Sequence, residues 1–120
     1  MGQTFSALTG LYFITCSLLV LPVTALGHSK LLFSEPQDGA VLSAPPGKVT
    51  LHFNKPIEAR FNRAELWQEG EWATLPSTAT PERLVIRLDE VKPMSEYRIR
   101  WSVMSRDGHR QQGTLRFLVR

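Results

Sequence analysis

The sequence carries one tripeptide whose residue types and spacing could bind a metal ion, Asp107-Gly108-His109. In an extended chain, residues two apart point to the same side, so this spacing places a carboxylate beside an imidazole. The glycine between them lets the backbone bend without steric cost. These two side chains would form half of a metal site. The tripeptide alone is a weak signal, because Asp-Gly is also a common turn sequence and the histidine could simply be solvated.

A second histidine, His28, follows a segment with the features of an export signal. The first 27 residues contain no charged side chain, and their apolar run, Leu11 to Leu26, ends in Ala25-Leu26-Gly27. Small residues at the last and third-last positions are typical of a signal-peptidase site. The run is also short for a membrane span, which needs about 20 apolar residues. We therefore expect residues 1–27 to be a cleaved signal peptide rather than an uncleaved anchor.

Cleavage after Gly27 would make His28 the first residue and leave its α-amine free. Such a residue can chelate a metal through the amine and its own ring nitrogen, and both groups lose their protons near neutral pH at little cost. The ring of His109 would add a third nitrogen, and Asp107 an oxygen. Nitrogen and oxygen ligands in a tetragonal arrangement suit Cu(II) or Ni(II), and the order of affinities places Cu(II) ahead.

The elements that must position these residues are short alternating strands separated by turn sequences. No stretch after residue 27 shows the helical period, and no internal repeat is visible, so we predict an all-β antiparallel sandwich or Greek-key barrel. Trp101 is expected in the core, and His52 on an outward, solvated face. The predicted strands cover residues 48–53, 63–68, 71–75, 83–88, 97–104 and 114–120, with a hairpin turn at 69–70 and a loop at 76–81.

Six arginines alternate with apolar residues on these strands and should form a solvated outer face. Docking of an acidic partner or an anionic lipid is the alternative for this face, whereas nucleic acid is not expected as a partner of an exported domain. No nucleophile with an adjacent base and no glycine-rich phosphate loop occurs, so no catalytic or cofactor-binding residue is predicted. The arginines are Arg83, Arg87, Arg98, Arg100, Arg116 and Arg120.

The sequence resembles the CopC family of periplasmic copper-binding proteins over essentially all of residues 28–120. This resemblance implies a small immunoglobulin-like β-sandwich with a Cu(II) site. The implied ligands are the amine and ring of His28, Asp107 and the ring of His109. The matching features are His28, Ser34-Glu35-Pro36 followed by Gly39-Ala40, Val49 to Phe53, Val91-Lys92-Pro93, Tyr97, Trp101 to His109 and Gly113 to Val119.

Two departures from the family pattern affect the expected chemistry. Some relatives carry a methionine-rich loop that binds Cu(I), but residues 60–81 contain no methionine. Relatives often have an acidic residue where this chain has Lys55, and a lysine there would disfavour a dication. The expected function is capture of Cu(II) in the periplasm for copper homeostasis, resistance or transport. The expected partners are the copper ion and an inner-membrane copper transport protein.

The alternative function is a copper-dependent oxidative enzyme of the histidine-brace type. Such an enzyme also holds copper through an N-terminal histidine and a second histidine. In this chain Asp107 would fill a coordination position that oxygen activation needs open. We therefore expect a binding protein and not an enzyme.

The whole predicted site depends on where the signal is removed. Cleavage after Gly27 should give an exported protein that begins at His28, and intact mass spectrometry of the secreted chain measures this directly. The sequence also offers a site after Ala25. A mature form starting at Leu26 would lack the amine chelate and would contradict the predicted site.

Overall fold

The computed structural model describes residues 29–120; the predicted signal segment and His28 lie outside the described residues. The described chain is built from nine strands, and it contains no helix. No helix in residues 29–120 is therefore long and apolar enough to cross a membrane. The strands are β1 (Leu31–Glu35), β2 (Val41–Leu42), β3 (Lys48–Phe53), β4 (Arg63–Gln68), β5 (Glu71–Leu75), β6 (Ser77–Ala79), β7 (Arg83–Arg87), β8 (Glu96–Met104) and β9 (Arg110–Val119).

The strands form two sheets. One has four strands in the order β1-β3-β7-β6, and the other has five in the order β2-β9-β8-β4-β5. All pairings within the sheets are antiparallel except the two-residue pairing of β2 with β9, which is parallel. The predicted all-β sandwich is confirmed, with this short parallel pair as a local difference.

The core lies between the sheets and is made by the inward residues of the alternating strands. Leu51 of β3 and Ile86 of β7 are fully buried, as are Ile99 of β8 and Phe117 of β9. The ring of Phe117 stacks on that of Tyr97 at 4.8 Å between centroids. Burying one such side chain contributes roughly 1.5–3 kcal/mol. The period of two that predicted these strands therefore also identifies the core.

The structure contains three strands that the sequence did not predict, β1, β2 and β6, and the ends of β7, β8 and β9 differ from the prediction by one or more residues. Residues 77–79 were expected in a loop, but they form β6 and pair with β7. Prolines at 76 and 81 flank this strand, and its edge position makes the missing N–H donors harmless. Strand β9 begins at Arg110 instead of Thr114, because the polar residues 110–113 pair with the end of β8. Neither residues 77–79 nor residues 110–113 have an alternating apolar pattern. Their strand structure therefore becomes visible only from the strand with which each pairs.

Trp101 lies in the core as predicted, with 6% of its surface exposed. Its ring meets Phe53 edge to face at 5.5 Å. In the β8–β9 ladder Trp101 stands opposite Gly113. A Cβ at position 113 would lie 2.7 Å from the indole Cζ2. The glycine is therefore required by the close approach of the tryptophan ring.

All six of these arginine side chains are exposed, as predicted, but they do not form a single face. Arg83 and Arg87 lie on β7 in the four-stranded sheet, whereas the arginines of β8 and β9 lie in the five-stranded sheet. Arg100 lies over the ring of Trp72, 4.4 Å from its centroid, and donates to Glu65 at 2.8 and 3.1 Å. These hydrogen bonds hold the pKa of Glu65 below its ordinary value. Two further arginines, Arg98 and Arg116, both donate to Glu96 at 2.7 Å. Part of this positive charge is therefore balanced within the sheet.

Adding one methyl group at Gly113 should destabilise the fold. In Gly113→Ala the Cβ would overlap the ring of Trp101, and overpacking of this kind costs about 1–3 kcal/mol in the free energy of unfolding. Gly47→Ala is a matched control, because nothing lies within 4 Å of its Cβ position. Urea unfolding measures both. Equal stability of the two variants would show that the tryptophan does not require the glycine.

Candidate metal centre

The predicted aspartate and histidine lie on the loop between β8 and β9. The turn is closed by two backbone hydrogen bonds, from Ser105 N to His109 O and from Gly108 N to Ser105 O, both 2.9 Å long. Gly108 has a φ of +89°, in the left-handed region that side chains rarely adopt. The sequence argument for a glycine at this position is confirmed.

The turn brings the side chains of Asp107 and His109 together, as their spacing predicts. Asp107 Oδ2 lies 2.8 Å from His109 Nδ1. A carboxylate can only accept, so Nδ1 carries the proton in this contact. The other oxygen, Oδ1, accepts from His109 N at 3.1 Å and from the hydroxyl of Ser105. Ser105 has no predicted role, although it stands within the matching motif.

These hydrogen bonds also set the charge of the aspartate. The Ser105 hydroxyl, and after it the His109 donors, favour the ionised carboxylate and hold the pKa of Asp107 far below its ordinary value. Metal ligands must bind in the deprotonated form. Asp107 is therefore a carboxylate at neutral pH, and a cation can approach it without displacing a proton from that group.

The residue that follows His28 is fixed on a segment that leads into this loop's neighbour, Ile57. Ser29 is fully buried, and its hydroxyl donates to the carbonyl oxygen of Pro56 at 2.9 Å. The next residue, Lys30, donates its backbone N–H to the Asn54 side chain at 2.7 Å, and Asn54 N donates back to Lys30 O at 3.0 Å. Three hydrogen bonds thus hold residues 29–30 on the segment 54–56.

That segment in turn contacts the aspartate–histidine loop. Ile57, directly after it, forms an isolated antiparallel bridge with Ser105. Glu58 N donates to Met104 O at 2.8 Å. The contacts therefore run from residues 29–30 through 54–58 to the start of the loop. His28 itself lies outside the described residues, so its predicted role remains a prediction.

His52 belongs to a different part of the surface. Its ring stacks on Phe33 at 4.1 Å, and its Nε2 lies 2.7 Å from Glu35 Oε1. Only 19% of the side chain is exposed, so the prediction of a solvated histidine was wrong. Cross-strand neighbours on β1 cover it, and a single strand's alternation cannot reveal such neighbours.

Within residues 29–120, no group of three or more His, Cys, Asp or Glu side chains is placed to hold a metal ion. The described part of the predicted site is the pair Asp107 and His109. Their side chains are 27% and 63% exposed, so solvent and ions can reach both.

The fold and the loop define a small two-sheet β-sandwich with an exposed aspartate–histidine pair between its two longest strands. Solved structures share this fold. The crystal structure of CopC from Methylosinus trichosporium OB3b superposes with a TM-score of 0.68 at 23% identity, covering 77% of this chain and 93% of that one. The methionine-rich copper resistance protein PcoC from Escherichia coli gives a TM-score of 0.62 at 28% identity, covering 78% and 99%.

The family follows from the sequence comparison. The CopC domain profile matches residues 31–120, and the chain belongs to the CopC family. Protein YobA from Escherichia coli K12 is 31% identical over 113 residues, covering 89% of each chain. The copper transport protein CutJ of Bacillus subtilis is 26% identical over 107 residues, which cover 85% of this chain. The chain spans only about one fifth of CutJ, since the match covers 20% of that protein.

The hydrogen bonds around Asp107 predict a specific pH dependence of stability. A carboxyl whose pKa is lowered by folding stabilises the fold above its unfolded pKa of about 3.9, and this stabilisation is lost as pH falls through the folded value. Asp107→Asn should therefore be less stable than wild type at pH 7, and the difference should shrink on acidification below about pH 4. Urea unfolding at several pH values measures it.

Asp89→Asn provides the control for that experiment. Asp89 is exposed, and its contact with Arg87 is a surface pair at 3.4 Å. Surface pairs of this kind contribute little to stability. The free energy of unfolding of Asp89→Asn should equal that of wild type at every pH. A constant difference between Asp107→Asn and wild type over the whole range would rule out the charge as the cause.

Proposed function

We propose that this protein is an exported Cu(II)-binding protein that captures the ion through His28, Asp107 and His109. It would act in the periplasm in copper homeostasis, resistance or transport. Membership of the CopC family supports this proposal, as do relatives named copper resistance protein C and copper transport protein CutJ. We also propose that residues 1–27 are a signal peptide and that the copper-binding domain covers residues 28–120.

The observation that carries the proposal is the 2.8 Å separation of His109 Nδ1 and Asp107 Oδ2. Two donors bound at about 2.0 Å and at right angles around one metal ion also lie about 2.8 Å apart. A metal ion bound to both atoms would replace the proton on Nδ1, and the imidazole would have to turn, because this nitrogen now points at Oδ2. The ionised carboxylate would supply negative charge to the dication.

His28 would complete the site from the other side. Its amine and ring would supply two nitrogens if the mature chain begins there. The anchoring of Ser29 on Pro56 supports this role, because the residue after Pro56, Ile57, forms a bridge with Ser105 at the start of the loop. Lys55 lies in the same anchoring segment, and its positive charge would lower the affinity for a dication.

The donor set favours Cu(II) over Cu(I), because Cu(I) prefers sulfur ligands. Residues 60–81 contain no methionine, whereas PcoC is described as methionine rich. Of the two methionines after residue 27, Met94 packs against the core. Reduction of the bound ion to Cu(I), or protonation of the nitrogen ligands, would promote release. An inner-membrane copper transport protein is the proposed recipient or donor.

Substitution of the ligands tests this function. His109→Ala removes a coordinating nitrogen and should weaken Cu(II) binding by more than about 100-fold. Loss of a residue that only orients a ligand typically weakens binding by about 10–100-fold, so the effect should exceed that range. Asp107→Asn keeps an oxygen but loses the charge, so its effect should be smaller. Competition with a chelator of known affinity measures binding, and the EPR spectrum should show nitrogen-rich tetragonal Cu(II).

His52→Ala is the matched control, since it removes a histidine whose described contacts are with Phe33 and Glu35 of β1. It should leave Cu(II) affinity unchanged. If His52→Ala abolished binding while His109→Ala left it intact, the site would be wrongly assigned. Production of hydrogen peroxide by the copper-loaded protein under reductant would favour the oxidative enzyme instead.

A further inference from the structure

We propose that Ser105 is a positioning residue of the metal site. Its hydroxyl would hold the carboxylate of Asp107 in the orientation that presents Oδ2 beside His109 Nδ1. The serine would not touch the metal. This inference rests on the proposed function, and it assigns a role to a residue outside the predicted ligand set.

The hydrogen bonds of Ser105 concentrate on the turn that carries the two ligands. Its N–H donates to His109 O and its carbonyl accepts from Gly108 N, so the backbone of the serine closes the turn. Its hydroxyl contacts both Asp107 Oδ1 and His109 O, the latter at 2.9 Å. A hydroxyl has one proton to donate. The charged carboxylate of Asp107 is a stronger acceptor for this proton than the carbonyl oxygen of His109.

The position of this hydroxyl is set by the body of the sandwich. Ser105 is fully buried, although Asp107 and His109 are exposed. It forms a bridge with Ile57, of which 1% is exposed, and the neighbouring Met104 O accepts from Glu58 N. The serine therefore connects a buried, fixed point of the fold to a solvent-exposed carboxylate.

Removal of the hydroxyl should loosen the carboxylate. Of the described contacts, Oδ1 would keep the one from His109 N, at 3.1 Å. A carboxylate with fewer fixed donors can rotate, and the ligand pair would then have to be ordered when the ion binds. Loss of an outer residue that orients a ligand typically costs about 10–100-fold in metal affinity. Ser105→Ala should fall in this range.

Ser34→Ala is a matched control for this substitution. Ser34 is also buried, at 5% exposure, and its hydroxyl donates to Pro36 O at 2.8 Å. Both variants lose one buried hydroxyl and one hydrogen bond, so both should lose some stability. Only Ser105→Ala should weaken Cu(II) binding and alter the EPR parameters of the bound ion. Equal copper affinity and identical spectra of the two variants would overturn the proposal.

A double-mutant cycle with Asp107→Ala shows whether the serine acts through the aspartate. In that background there is no carboxylate to hold, so Ser105→Ala should have no further effect on Cu(II) affinity. A full, additive loss in the double variant would overturn the positioning role. If Ser105→Ala is too unstable to measure, Ser105→Cys replaces the hydroxyl by a weaker donor of similar shape. It should give an intermediate loss of affinity, and wild-type affinity would count against the proposal.

The same measurements separate this proposal from the proposed function. If His109→Ala weakens binding strongly and Ser105→Ala does not, the function holds and the role of Ser105 is wrong. If wild type and His109→Ala bind Cu(II) equally weakly, the proposed function fails, and the role of Ser105 at a metal site fails with it.

Discussion

The carboxylate of Asp107 is the group on which the candidate site depends. It accepts hydrogen bonds from the Ser105 hydroxyl, from the backbone of His109 and from the ring of His109. Each of these bonds favours the negative charge, and together they fix the direction of both oxygens. The same contacts orient the imidazole. A single charged group therefore connects the serine, the backbone of the turn and the imidazole.

The sandwich supports this turn from two sides. On one side the β8–β9 ladder runs without interruption from Glu96 to Met104, and the close packing of Trp101 on Gly113 holds the two strands together near the loop. On the other side the segment 54–58 bridges to the loop and also binds residues 29–30. The ladder joins consecutive strands, whereas the second connection joins positions far apart in sequence and therefore forms only when the chain folds.

Much of the fold could be predicted from the sequence because it depends on local patterns. Strand β3 occurs with the predicted boundaries, since an apolar residue at every second position indicates an extended chain with one buried face. Strands β4 and β5 also occur as predicted, because the Glu69-Gly70 turn between them indicates a hairpin. The pairing of Asp107 with His109 was predictable for a similar reason. The two residues are separated only by Gly108, and the geometry of so short a segment follows from its own residue types.

What the sequence determined by itself was therefore the all-β class, the buried face of each alternating strand and the aspartate–histidine pair. Only the tertiary structure decided which residues support that pair. Ser105 is an ordinary polar residue until its burial beneath the turn is known, and nothing local in the sequence brings Ser29 to Pro56. The stacking of His52 on Phe33 likewise depends on a partner strand. Periodicity records which face of a segment is buried, whereas the identity of its neighbours depends on how distant segments pack.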